Sequence, residues 1–371
     1  MSGGTDPSPP AGALVVVTQA WVHEPAPVGD SGPAIAAWFD AHIETSDQGV
    51  ADTLDAERAA AEDFQRMSKA ETTRKAYRAA VRAWCGWCDR REVPPLPGAS
   101  TDVAAFLAAE RHRGLSPNSI NLRRSAIRYL HRAADCPVPT DDARVAATVA
   151  GIRRDAARRG EQPNKKKAAT TPVLHRLLDP IPDDLRGLRD RALILVGFAG
   201  ALRRSELAAI AMRDLESTVR GLRLTLAHSK SSQADAVTVP LPYGKTELCP
   251  VRALERWLAA SGITEGPVFR RIWLPKHASG AEPPPLPRLG AEALTAHSVA
   301  LIVQARGAAA GFGRLELGGH SLKRGALTTG MDRGAHPAKL KRLGRHKSFD
   351  VLGEYLEFGD LFDGHPLSGV L

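Results

Sequence analysis

The chain has 371 residues, 43% hydrophobic and 25% charged, enough apolar material for two domains with cores of their own. No apolar run approaches the roughly 18 residues of a membrane-spanning helix, and four cysteines in so long a chain argue against a disulfide scaffold. The net charge of +9 is compatible with many protein classes, so its distribution along the chain matters more than its total.

Residues 1–65 hold one arginine against 11 acidic residues, a net of −10. Residues 66–168 hold 22 Lys and Arg against 10 acidic residues, a net of +12, and the remainder carries +7. A basic body of this size points to a polyanion, of which nucleic acid is the usual one. The N-terminus lacks a basic-then-apolar signal pattern, so the cytoplasm is the expected compartment.

Residues 1–32 are rich in Gly, Pro and Ser without a sustained period and read as disordered. Two short helices are expected near Pro33–Ile43 and Val50–Met67, in an acidic arm over 1–65 suited to capping or protein contact rather than DNA. From Ser68 the pattern changes. Thr72–Arg90 places Tyr77, Val81, Trp84 and Cys88 on one helical face, which makes the CxxC of Cys85 and Cys88 core residues rather than half of a zinc site. Helices over Thr101–Glu110, with Thr101 as N-cap, Asn118–Ala134 and Asp142–Arg159 complete a helical domain at 66–160. Its surface is rich in arginine, and Arg123, Arg124, Arg128, Arg153 and Arg154 are candidate phosphate contacts. A basic linker at 161–171 carries Lys165, Lys166 and Lys167, which are placed to lie along a DNA backbone.

Beyond the linker, residues 172–371 mix helix and strand. Leu185–Gly200 is a strongly apolar helix, and Ser205–Ala211 follows it after a turn. Gly221–Ala227 and Ala236–Leu241 read as two strands joined by a polar loop, and Pro250–Ala260 returns to helix.

Five short segments here carry chemistry. Ala201-Leu202-Arg203-Arg204-Ser205-Glu206-Leu207 follows the apolar helix. Lys230 sits in the loop between the two strands. Gly319-His320-Ser321-Leu322-Lys323-Arg324-Gly325 and Leu343-Gly344-Arg345-His346-Lys347 come next, and Tyr355 lies nine residues after His346. In order and spacing these resemble the boxes of the tyrosine recombinase (phage integrase) family, closely over Ala192–Leu356 and more loosely over the helical domain. The resemblance implies a mainly α fold: a helical SAM-like core-binding domain, then an integrase-type catalytic domain with a small antiparallel β-sheet. It implies an enzyme that cleaves and rejoins DNA through a 3′-phosphotyrosine, with no metal or other cofactor.

The chemistry is coherent with those residue types. Breaking a phosphodiester needs fixed cations for its transition state, an acid for the leaving oxygen and an activated nucleophile. By resemblance Arg203 grips the scissile phosphate, Lys230 is the general acid, His320 accepts the tyrosine proton or binds phosphate, and His346 hydrogen-bonds a non-bridging oxygen. Tyr355 is the nucleophile. Tyr77 and Tyr129 read as core residues and Tyr243 lies in a Pro-rich turn, which leaves Tyr355 alone behind a histidine box. Glu206, three residues past Arg203, either orients it or forms a structural ion pair. Arg204 points elsewhere, and His297 and His336 read as structural.

One position departs from the family pattern. Three residues after His320 the family has a second arginine, and this chain has Lys323, followed by Arg324. Lys323 then supplies the charge as a point cation, Arg324 swings in to replace it, or the enzyme is impaired. The competing activities are a type IB topoisomerase and a non-catalytic DNA-binding regulator of the same fold. The expected partner is double-stranded DNA, bound by a homotetramer on two sites through the C-terminal tail. Accessory DNA-bending proteins and a nucleoid-associated, bacterial-type setting complete the expectation.

Overall fold

The computed structural model describes residues 25–44, 54–161, 166–226, 236–273, 286–313 and 315–356. The chain divides into two compact units, Met1–Pro163 and Asn164–Leu371.

The first unit is helical, with α1 (Gly32–His42), α2 (Leu54–Met67), α3 (Glu71–Asp89), α4 (Ser100–His112), α5 (Pro117–Ala133) and α6 (Ala143–Arg158). Apolar residues three and four apart put Val81, Trp84, Cys85 and Cys88 of α3 into one core with Phe106 and Leu107 of α4 and Ile127 and Leu130 of α5. Both CxxC thiols are buried there, and burial pushes Cys85 up to about 12. Two polar side chains in this core find partners, while the buried Trp87 indole nitrogen has none among the described residues. The Trp84 indole donates to the Pro95 carbonyl at 3.0 Å, and His131 Nε2 accepts from the Gly98 amide at 2.9 Å.

Two details differ from the sequence reading. The helix α1, expected in a loose acidic arm, buries Ile35 and Phe39 completely against α3, and Asp40 pairs with Arg82 Nε at 2.9 Å. Thr101 does not cap α4. It lies inside the first turn, and the N-cap is Ala99, which offers no side-chain acceptor. Ser116 and Asp142 do cap α5 and α6, accepting from the amides of Ser119 and Arg144 at 3.3 and 2.7 Å.

The second unit holds α7 (Thr171–Leu178), α8 (Leu185–Ala199), α9 (Arg204–Ala209), β1 (Leu215–Thr218), β2 (Gly221–Leu226), β3 (Val237–Pro242) and α10 (Pro250–Ser261). It continues with β4 (Arg270–Trp273), β5 (Arg288–Ala293), α11 (Ala296–Ala309), α12 (Gly319–Asp332), α13 (Pro337–Gly344) and α14 (Phe349–Gly353). Leu193, Ile194, Leu195 and Val196 are all buried because α8 is covered by α10, α11 and α12. A helix apolar around its circumference can be stable only when enclosed in this way.

The sheet is antiparallel and three-stranded, β1-β2-β3, rather than the expected pair. Leu224 faces Val239 and Leu222 faces Leu241, so alternation buries one side of the sheet. Strand β1 was unreadable because Leu215-Glu216-Ser217-Thr218 has one apolar residue; it exists by pairing with β2. A second sheet, β4-β5, was likewise not anticipated.

The lysines expected to lie on a free linker are partly built into this unit. Lys166 Nζ donates to the Leu315 carbonyl, the Lys167 amide donates to Glu316 O at 2.8 Å, and Lys167 Nζ stands 5.5 Å from the Phe312 ring centre. The Ala169 amide donates to Ser321 O at 2.9 Å, so residues 166–169 strap down α12. The strap fits because Gly325 lacks a side chain: a Cβ there would fall 2.0 Å from the Ala169 carbonyl oxygen. Gly325→Ala is therefore expected to destabilise this unit by about 1–3 kcal/mol through overpacking, read as a lowered midpoint in urea denaturation at unchanged m-value.

Candidate active site

The apolar helix α8 ends at Gly200, and the chain reverses through Ala201 at φ 44°. Arg203 then precedes α9 in extended conformation. Three residues on, Glu206 turns its carboxylate back. One oxygen accepts from the Arg203 amide at 2.8 Å and the other from Arg203 Nη1 at 2.6 Å. Of the two roles open to Glu206, an orienting group and an ion pair, the geometry supports both at once: it holds both the start of α9 and the Arg203 guanidinium.

Helix α12 leaves His320 exposed within an otherwise buried first turn and buries Lys323 and Arg324 just after it. Lys323 is fully enclosed. Its ammonium donates to the Gly344 carbonyl and lies 5.4 Å from the Tyr355 ring centre. Arg324 faces another way. Its Nη1 donates to the Lys166 carbonyl, and its Nε lies 3.5 Å from the Tyr355 main-chain oxygen. Between the two candidates for the missing arginine, Lys323 is the one that reaches the Arg203 cluster.

Helix α13 stops where Arg345 adopts the left-handed conformation, φ 53° and ψ 50°. Its side chain turns inward, and Nη2 donates to Glu206 Oε2 at 2.8 Å. His346 follows, buried, with neither ring nitrogen hydrogen-bonded among the described residues. Ser348 caps α14, accepting from the Val351 amide at 3.3 Å, and this short helix delivers Tyr355. Leu352 and Leu356 anchor it in a small core with Leu327 and Leu340. Tyr355 itself is half-buried, its ring 4.6 Å from that of His346 and tilted 44°.

Electrostatically, three cations (Arg203, Lys323 and Arg345) share one buried carboxylate. Burial alone would raise the Glu206 carboxyl, but Arg345 and Arg203 outweigh it and hold it below its usual range. Burial first, then Arg203 and Arg345, bring Lys323 down to about 7 against the pull of Glu206. Burial, then Lys323, Arg203 and Arg345, bring His346 down to about 4. The cluster thus carries more positive charge than its own acids balance, an arrangement suited to an oxyanion with shared negative charge.

The structure brings together Arg203, Glu206, Lys323, His346 and Tyr355 from the candidate set. Lys230, in the β2–β3 connection, and Lys165 lie outside the described residues. Arg345 is the residue that sequence reasoning misses: its chemistry depends on a left-handed conformation at the end of α13, which no local pattern reveals. Arg204 is exposed, and His336 caps α13, accepting from the Ala338 amide at 3.1 Å. Tyr77 and Tyr129 pack against the helical core, and Tyr243 donates to Glu255 at 2.9 Å.

In the first unit the candidate DNA contacts separate. Arg123 donates to Glu110 at 3.1 Å and to the Ala79 carbonyl at 2.9 Å. Arg124 donates to the Thr140 carbonyl at 3.2 Å, and Arg128 pairs with Asp141 at 2.9 Å. These three hold the unit together, with α5 tied to its neighbours. Arg153 and Arg154 stand exposed on α6.

Residues 51–135 match the family described as phage integrase, N-terminal SAM-like domain. The integrase/recombinase xerD homolog of Selenomonas ruminantium is 33% identical over 307 residues, covering 81% of this chain and 86% of that protein. A tyrosine recombinase of Synechococcus elongatus is 27% identical, covering 80% and 88%. Among solved structures, XerH site-specific recombinase bound to a palindromic difH substrate superposes with a TM-score of 0.60 at 14% identity, covering 93% of this chain and 97% of that one. A lambda integrase dimer bound to a COC′ core site gives 0.52 at 16% identity, covering 81% and 93%.

The lowered Lys323 and His346 give a pH signature. Between about pH 7 and 10.5 the unfolded chain holds a Lys323 proton that the native state lacks, so stability rises with pH. His346 acts with the same sign between about pH 4 and 6.5. Lys323→Met is expected to flatten the dependence between pH 7 and 9, where one such proton contributes at most about 1.4 kcal/mol per pH unit, measured by denaturant unfolding at fixed pH.

With the fold, the cluster around Tyr355 and a relative 33% identical over most of both chains in agreement, the protein belongs to the tyrosine recombinase family of DNA strand-transferring enzymes.

Proposed function

We propose that this protein is a site-specific DNA recombinase that cuts and rejoins strands through a 3′-phosphotyrosyl bond to Tyr355, with no need of metal or ATP. The observation that carries this reading is the setting of Tyr355: half-buried, beside His346 and Lys323, and next to an Arg203–Glu206 pair in a cluster with excess positive charge.

In the proposed step the phenol oxygen of Tyr355 attacks the scissile phosphorus as the bond to the 5′-oxygen breaks. The phenol proton passes to His320, and the departing 5′-oxygen takes a proton from Lys230. Arg203 and Lys323 balance the charge on the non-bridging oxygens. His346, held neutral near pH 7, donates a hydrogen bond to one of them. Because the tyrosyl ester conserves the energy of the broken bond, attack by a 5′-hydroxyl reverses the step without an external energy source.

The partner is double-stranded DNA, with Arg153 and Arg154 as phosphate contacts on the helical unit. Recombination between two sites calls for a homotetramer, for which the C-terminal tail is the candidate connector; residues 357–371 lie outside the described residues. Accessory DNA-bending proteins and action at the bacterial nucleoid belong to the same proposal. Among the described residues no helix is long and apolar enough to cross a membrane.

Tyr355→Phe is expected to abolish a covalent protein–DNA adduct on nicked duplexes tiled from the DNA flanking the gene, while retaining binding in a mobility shift. An adduct that survives the change refutes the assignment. Relaxation of any supercoiled plasmid without a site requirement would identify a type IB topoisomerase instead, and DNA binding with no cleavage by the wild type a regulator.

A further inference from the structure

The guanidinium of Arg345 makes more contacts than any other group in the cluster, and most of them are to main chain. Nη1 donates to the carbonyls of Gly200 at 3.0 Å and Leu343 at 2.8 Å. Nη2 donates to the Ala201 carbonyl at 2.7 Å and to Glu206 Oε2 at 2.8 Å. In return the Arg345 carbonyl lies 3.5 Å from Arg203 Nη2. One side chain therefore joins the turn before Arg203, the carboxylate that aims Arg203, and the residue immediately before His346. These segments are about 140 residues apart in sequence, so no local preference can set their spacing.

The backbone at Arg345 argues for a dedicated role. At φ 53° a side chain costs on the order of 1 kcal/mol, and glycine is the usual occupant of this helix-ending position. An arginine here has to gain more from its contacts than the conformation costs. Those contacts also decide what it does not do. Each terminal nitrogen of Arg345 serves two protein acceptors, and its buried Nε is the one guanidinium donor without a partner among the described residues. Arg203 gives one bond to Glu206 and a long one to the Arg345 carbonyl, and Lys323 one bond to Gly344, so those two keep more donors for a phosphate.

We propose that Arg345 is a positioning residue, a tie bar that sets Arg203 and Glu206 in register with His346 and Tyr355 before DNA arrives. This rests on the strand-cleavage reading above and adds a residue to it. A tie bar that acts by geometry differs from a mere charge, because lysine would keep the charge but cannot span three carbonyls and a carboxylate.

The test uses the full-length protein and the same tiled nicked duplexes, with adduct formation followed in single-turnover mode across pH. Arg345→Gly relieves the left-handed backbone, so it is expected to fold and to bind DNA within about twofold of wild type. Its cleavage rate is expected to fall about tenfold or more, since small misplacements of reacting groups are costly. The groups facing Lys323 and His346 are Arg203, Arg345, Glu206 and Tyr355; with one cation gone, both bases hold protons to higher pH and the pH–rate profile moves alkaline. Arg345→Lys is expected to return the profile toward wild type without restoring the rate, and it carries the test alone if the glycine variant does not fold. Wild-type cleavage by Arg345→Gly with an unmoved profile, or full rescue by Arg345→Lys, overturns the proposal. A wild type that forms no adduct on any duplex overturns the cleavage reading itself, and the inference with it.

Discussion

A single carboxylate, that of Glu206, sits where the segments of the second unit converge. It is buried, yet it stays ionised because Arg203 and Arg345 surround it. The same pairings fix geometry. Arg203 is aimed by the first oxygen, the start of α9 is closed by the second, and Arg345 ties both to the end of α13. Lys323 has no carboxylate to itself and rests on the Gly344 carbonyl, so it is the most easily discharged cation of the group. The balance leaves surplus positive charge beside the tyrosine, which a phosphodiester would complete.

The scaffold around this cluster follows from burial. Enclosed α8 provides a rigid base from which the Gly200–Arg203 turn emerges, and α12 packs against it carrying Lys323. The strap at 166–169 runs over Gly325 and gives its Lys166 carbonyl to Arg324. An arginine that sequence spacing offered as a second phosphate ligand is thereby occupied in holding the strap, close to the Tyr355 backbone. Two adjacent cations on one helix thus take different tasks because successive side chains point about 100° apart.

Much of the helical architecture was legible because it is local. Apolar residues at spacings of three and four marked α3, and the start expected at Asp142 is a true one. Where the decisive partner was remote, reading failed. Strand β1 depends on β2, and the burial of the expected helix α1 depends on α3. Arg123, Arg124 and Arg128, expected as DNA contacts, also bond within the unit to Glu110, Thr140 and Asp141. Charge in a sequence says that a partner is needed without saying whether the partner is DNA or the protein itself.

For the site, the sequence alone determined which residue types are available and in what order: an arginine, a pair of histidine boxes and a tyrosine nine residues beyond the second. That information is linear and survives without coordinates. Only the tertiary structure decided that Lys323 rather than Arg324 joins the cluster, that Glu206 is shared between two arginines, and that Arg345 spans them. Each of those outcomes depends on a left-handed residue or on contacts across more than 20 residues of chain, and hydrogen bonds and buried charges are set by distances in space.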